Sequence, residues 1–215
     1  EELVIGHTLD AIARGAPEAE LMIVDGGSTD RSVQVAAVRG ARTLSAPRGR
    51  ARQMNAGAAA AHGDVFAFVH ADTLVPATFA ADIAFALANP HVVGGRFDVK
   101  LDDTSLASSI LGKLISLRSR IMRSATGDQA IFVRKDTFAV MGGFREIELC
   151  EDVDFARRLK KLGKVACLRS HVVTSARRWR EKGIIRTVLT MWIIKSLFLA
   201  GVSPSRLHRY YANVR

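Results

Sequence analysis

Short apolar runs alternate with Ala-rich stretches of helical period along much of this chain. The runs are Leu-Met-Ile-Val-Asp at 21–25, Asp-Val-Phe-Ala-Phe-Val-His at 64–70, Ala-Ile-Phe-Val-Arg-Lys at 130–135 and Lys-Val-Ala-Cys-Leu-Arg at 164–169. Their length and their β-branched and aromatic content predict buried strands. Helices are predicted near 30–39, 48–61 and 76–88, with Gly63 as a C-cap and Asn89-Pro90 as a stop. Residues 150–163 read as an amphipathic helix with Val153, Phe155 or Ala156, Leu159 and Leu162 on one face. Alternating strands and helices predict an α/β fold with a mostly parallel sheet flanked by helices.

The last apolar run, residues 184–200, is too short to span a bilayer comfortably, and Arg186 and Lys195 interrupt it. Nine residues apart on a helix, those charges lie about 180° from each other, so neither face is cleanly polar. The expectation is a domain at 1–183 followed by a C-terminal helical segment at 184–215. That segment packs on the domain, on a second copy of the chain or on a membrane surface. No internal repeat, linker or low-complexity stretch stands out.

At 215 residues the chain is long enough for one domain to bury its core without staples. Cys150 and Cys167 have neither C-x-x-C spacing nor the density of a disulfide framework, so a reducing, cytoplasmic setting is expected. The chain opens at Glu1-Glu2 without Met, and the expectation is that further chain lies upstream. The net charge of +10 is uneven. Residues 1–110 hold 9 basic and 13 acidic side chains, net −4, whereas 111–215 hold 22 and 8, net +14. Such a field attracts phosphates or anionic headgroups. Nucleic acid is not expected as a partner, because no basic-aromatic stacking pattern, helix-turn-helix or zinc finger is present.

Several acidic positions fall where chemistry would need them. The run ending Val69-His70-Ala71-Asp72 delivers a carboxylate to the carboxyl edge of a strand, where open α/β sheets bind ligands. Asp72 could equally cap a helix beginning at Pro76. Asp25 ends the first strand and precedes Gly26-Gly27-Ser28-Thr29-Asp30, in which the glycines allow close backbone approach and Ser28 or Asp30 can cap the next helix. Arg48 and Arg52 stand four apart, with Arg50 off their face, a spacing suited either to a diphosphate or to solvent. Glu151 and Asp152 open the 150–163 helix, where the macrodipole favours negative charge whatever the function.

Taken in order, Asp-Gly-Gly-Ser-Thr-Asp, His-Ala-Asp, Gly-Asp-Gln, Glu-Asp and Arg-Arg-Trp resemble the family 2 glycosyltransferases over nearly the whole chain. The likeness is strongest to a small bacterial group carrying HADT, GDQA and TSARRW. The resemblance implies a GT-A fold, a nucleotide-diphospho-sugar donor, a divalent cation (Mg²⁺ or Mn²⁺) and inversion at the anomeric carbon. It implies donor contacts from Asp25, Gly27, Ser28, Arg48, Arg52 and Arg178, and metal ligation by Asp72 beside the donor. It makes Asp152 the catalytic base with Glu151 as its orienting neighbour, and puts Gly127, Asp128, Gln129 and Trp179 on the acceptor side. Three positions depart from the pattern: Gly26 replaces a second Asp, His70 replaces the first Asp of D-x-D, and Ser175 opens the Q/R-x-x-R-W motif. The last departure implies single transfer rather than polymerisation. A lipid-linked acceptor and a peripheral place on an anionic membrane fit the basic half. Two other functions share this α/β plan: a nucleotidyltransferase, which needs a Gly-rich loop with Arg and Lys after its first strand, and a non-catalytic membrane- or partner-binding module.

Overall fold

A computed structural model describes residues 1–122 and 124–214, excepting the side chains of 178, 182 and 212–214. The elements run α1 (Ile5–Gly15), β1 (Met22–Asp25), α2 (Ser32–Val38), β2 (Arg42–Ser45), α3 (Arg50–Ala60), β3 (Val65–Phe68), β4 (Thr73–Leu74), α4 (Phe79–Leu87) and β5 (Val92–Leu101). They continue with α5 (Leu106–Met122), a 3-10 turn (Gly127–Gln129), β6 (Ile131–Arg134), α6 (Lys135–Met141), α7 (Glu151–Leu159), β7 (Lys164–Thr174), α8 (Arg177–Lys182), α9 (Ile184–Leu199) and α10 (Pro204–Val214).

The four predicted strands and four predicted helices are present, but the sheet is mixed, which corrects the expectation of a mostly parallel one. β1 and β2 form a separate parallel pair, and the main sheet has the order β3-β6-β5-β7-β4. Within it only β5 and β7 run parallel; β6 lies antiparallel between β3 and β5, and β4 antiparallel to β7. Strand-helix alternation had implied parallel crossovers, yet β6 returns into the middle of the sheet after α5 and reverses direction there.

β5 forms the centre and breaks the usual composition of a strand. A Cβ on Gly94 would lie 2.5 Å from the Phe132 carbonyl oxygen, and one on Gly95 would lie 2.6 Å from that of Ala166. Only glycine lets the neighbouring backbones come this close. Beside them Arg96 is fully buried, its guanidinium donating to Asp98 and to the carbonyls of Phe97 and Ser116. Arg120 from α5, partly exposed, adds 2.7 Å to the other Asp98 oxygen, so the one carboxylate faces two guanidinium groups, of which only that of Arg96 is fully buried.

Two apolar layers cover the sheet. One packs Phe79 and Ile83 of α4 on Phe97, Phe132 and Val172. The other packs Phe138, Phe144, Phe155 and Leu159 on Phe66 and Val133. The C-terminal helices dock on this body, with Ile194 of α9 buried against Cys150 and Val153.

Helix boundaries shift some predicted caps. α3 ends at Ala60 with Ala61 extended behind it, so Gly63 is not its C-cap. α4 starts at Phe79, which leaves Asp72 out of any capping role.

Candidate active site

Between the two sheets lies a cavity of about 580 Å³, within the range of small-ligand sites. Apolar residues of β1 and β3 line its interior, and polar groups gather at one end: Asp25, Ser28, Arg50, His70, Glu151 and Asp152. The polar end coincides with the carboxyl ends of β1 and β3.

The Asp25 loop is preorganised by its own carboxylate, which accepts the backbone N–H groups of Gly27 at 3.0 Å and Ser28 at 3.0 Å. Gly27 takes φ +95°, where a side chain would be strained. Hydrogen bonding from Ser28, then from Gly27, holds the Asp25 carboxyl below the usual range. Asp30 accepts the Ser32 N–H at 3.0 Å at the head of α2, and Ser28 makes no such cap. Across the loop Gln53 of α3 donates 2.8 Å to the Val24 carbonyl. Its amide lies 3.0 Å from where a Gly26 Cβ would stand. A larger residue at 26 would displace Gln53, which explains the glycine there.

α3 starts at Arg50 because Gly49, at φ +142°, turns the chain into it. Arg48 therefore stands outside the helix and exposed. Arg52 pairs with Glu146 at 3.1 Å, both about half exposed. Arg50 reaches the cavity instead, 3.7 Å from Glu151. Spacing alone had paired Arg48 with Arg52. The later helix start puts Arg50 at the rim of the cavity, still 57% exposed, and the sequence pattern carries no signal that sets Arg50 or Gln53 apart.

α7 brings Glu151 and Asp152 to the same place. The preceding Cys150 adopts φ +67°, a rare conformation for a residue with a side chain, and turns the chain sharply into the helix. Asp152 accepts the Gly127 N–H at 2.8 Å and the Val153 N–H at 2.7 Å, tying the Gly127–Gln129 turn to the head of α7. Glu151 is buried, and burial followed by the adjacent Asp152 charge pushes its carboxyl up despite Arg50. Burial also pushes the Cys150 thiol up to about 12, which keeps it un-ionised and inert.

His70 packs against Gly127, where a Cβ would come within 2.5 Å of its Nε2. Burial and then Arg50 lower its pKa against the opposing pull of Asp128, Asp72 and Asp152, so the imidazole is neutral near pH 7. Asp72 itself has no hydrogen-bond or ion-pair partner among the described residues, leaving its oxygens available.

Two expected contacts lie elsewhere. Gln129 is fully buried, its Oε1 accepting from Ser119 at 3.0 Å and from Thr126, which gives it the role of holding the turn's shape. Trp179 packs with Ile184 and Val188 on Leu101, Leu111 and Ala176. The side chain of Arg178 falls outside the described residues.

Among the described residues no group of three or more His, Cys, Asp or Glu is placed to hold a metal. A hard cation that retains water needs only one or two carboxylates together with substrate phosphates, and the free Asp72 meets that requirement.

Comparison with known proteins agrees with this geometry. The sequence model of glycosyl transferase family 2 matches residues 1–144. No curated protein matches the chain. Among solved structures, TarS of S. aureus is 17% identical with a TM-score of 0.65, over 87% of this chain and 37% of that one. The mannosyltransferase PcManGT from Pyrobaculum calidifontis, in complex with GDP-Man and Mn²⁺, is 16% identical with a TM-score of 0.68, over 100% and 66%. Glucosyl-3-phosphoglycerate synthase from Mycobacterium tuberculosis, with Mn²⁺, UDP-Glc and glycerol 3-phosphate, gives 19% and 0.59, over 80% and 66%. The chain thus spans from 37% to 66% of the length of these three, and what the likeness shows is a shared GT-A fold.

Proposed function

The chain belongs to glycosyl transferase family 2, and from that premise we propose that it transfers a sugar from a nucleotide-diphospho-sugar to an acceptor hydroxyl with inversion at the anomeric carbon. The observation that carries this reading is the Gly127–Asp152 hydrogen bond. It joins the turn and the head of α7 at the same polar end that the Asp25 loop enters. A donor held by Asp25, Gly27, Ser28 and Arg50 would present its anomeric carbon toward Asp152.

In the reaction the acceptor oxygen attacks the anomeric carbon, the bond from that carbon to the diphosphate oxygen breaks, and the nucleoside diphosphate leaves with the electron pair. The acceptor proton passes to Asp152, whose hydrogen bonds from the Gly127 and Val153 N–H groups fix where its oxygens stand. Arg50, which reaches Glu151 at 3.7 Å, would counter the charge that accumulates on the leaving group. A divalent cation, Mg²⁺ or Mn²⁺, held by Asp72 and the donor phosphates, would further neutralise that charge. The net +14 of residues 111–215 favours an acceptor offered at an anionic surface, lipid-linked acceptors included.

The test is nucleotide release from a panel of UDP-, GDP- and TDP-sugars with Mn²⁺ or Mg²⁺, compared with chelator. Metal-dependent release from one donor, lost in Asp152→Asn, is expected. Release from none of these donors, with either metal, would refute the proposal.

A further inference from the structure

Two helices carry apolar residues on their outer faces. On α5, Leu106, Ile110, Leu114, Leu117 and Ile121 are between 48% and 76% exposed. Their spacing confines them to one sector of about 80°. On α9, Ile185, Leu189, Trp192, Ile193 and Leu197 are between 39% and 77% exposed, while Thr187 and Ile194 on the opposite side are buried. The two helices meet on one cluster, to which α5 contributes Leu111 and Ile115, and α9 contributes Ile184 and Val188. Each exposed stripe runs beside the residues that join its helix to that cluster. Single exposed leucines need no explanation, but a row of them on each of two helices that share a core cluster does.

Charge narrows what can cover this surface. Residues 106–122 and 182–215 contain no Asp or Glu. Lys113, Arg186, Arg206 and Arg209 are exposed on α5, α9 and α10. A symmetric contact with a second copy would set these carboxylate-free basic helices against themselves. A surface that is apolar beneath and anionic above suits both features. Among the described residues no helix is long and apolar enough to cross a membrane, so the helices would lie along it.

We propose that α5 and α9 form a platform that docks this protein on anionic lipid bilayers, with the leucine and isoleucine rows entering the acyl boundary and the basic side chains meeting headgroup phosphates. This deepens the reading of an acceptor at an anionic surface, and its geometry is independent of the catalytic residues.

The test is co-sedimentation of the full chain with phosphatidylcholine vesicles, with and without phosphatidylglycerol, at low and high salt. Partitioning at least about tenfold stronger with phosphatidylglycerol, and weakened by salt, is expected. Leu114→Asp combined with Leu189→Asp should lower it on the order of tenfold or more at an unchanged thermal midpoint, because both positions are exposed. Phe85→Asp, 85% exposed on α4 outside both stripes, should bind as wild type does. Equal pelleting with neutral vesicles, no pelleting, or equal loss in Phe85→Asp would overturn the proposal. So would a stable dimer that the Leu114/Leu189 double variant dissolves. Nucleotide release by the double variant on a soluble acceptor reports separately on the transferase reading, which stands or falls without the platform.

Discussion

Replacing Asp152 with Asn keeps the shape of the side chain and removes its charge, and the hydrogen bonds around it set two separate magnitudes. Asp152 accepts one backbone N–H on each oxygen, Gly127 on one and Val153 on the other. Asn offers only one acceptor oxygen, so one of those N–H groups must face an amide NH₂. A buried donor left unpaired costs about 1–3 kcal/mol, and the partial exposure of Asp152 puts the expected value near the lower end. At roughly 2–4 °C per kcal/mol for a chain of this size, the thermal midpoint should fall by a few degrees. The rate effect is much larger. A positioned base contributes on the order of 10²- to 10⁴-fold, so single-turnover transfer should drop by that factor. Donor affinity should change little if, as proposed, the carboxylate serves the acceptor hydroxyl. The assay pairs differential scanning fluorimetry with rapid-quench transfer at saturating donor. A variant that loses a few degrees yet transfers near the wild-type rate would show that Asp152 only fastens the turn to α7. A donor Kd rising as steeply as the rate falls would move the residue to the diphosphate.

Asp72→Ala should remove the Mn²⁺-dependent part of nucleotide-sugar binding in calorimetry and leave the thermal midpoint alone, since no side chain among the described residues pairs with Asp72; unchanged metal dependence would exclude it as a ligand. Arg50→Ala should weaken donor binding roughly tenfold or more, as expected for loss of a charge-assisted contact, whereas Arg52→Ala should change it less than about twofold because its partner Glu146 is a surface one; the reverse ranking would restore the spacing-based choice of arginine. Glu151 is raised in the fold relative to the unfolded chain, so its contribution is fully present below the unfolded carboxylate pKa, about 4, and is lost as pH rises through the folded value. Glu151→Gln should therefore gain thermal midpoint relative to wild type as pH rises from about 4 to neutrality. Parallel pH curves for the two proteins would contradict the buried, raised carboxyl.

The parts of the fold legible in the sequence were those with ordinary composition. Residues 21–25, 64–70 and 130–135 are apolar and each contains a strand, and residues 164–169 open β7, which runs on to Thr174. β5 escaped because its interior reads Gly-Gly-Arg-Phe-Asp, and nothing local says that the glycines make room for Phe132 and Ala166 or that Arg96 and Asp98 neutralise each other. With β5 unseen, the direction of β6 beside it could not be assigned. The placement of Asp25, Asp72 and Asp152 beside the ends of elements was legible, because each follows or opens a run of clear period. The arginines were not, because whether Arg48 or Arg50 begins a helix depends on one glycine's φ. Gln129 shows the converse limit: a motif glutamine is polar on paper and buried in the fold.

The two sheets have a mechanical consequence. Among the described residues β1 and β2 pair only with each other, and the cavity separates β1 from β3 with no strand ladder between them. The Asp25 loop is mounted on one sheet, and Asp72 follows a strand of the other, so the spacing across the site depends on how stiffly α1 and α3 bridge the gap. A diphosphate gripped from both sides would serve as a cross-brace. Its mark would be slower amide exchange along β1 and β2, including residues at their far ends that the ligand never touches.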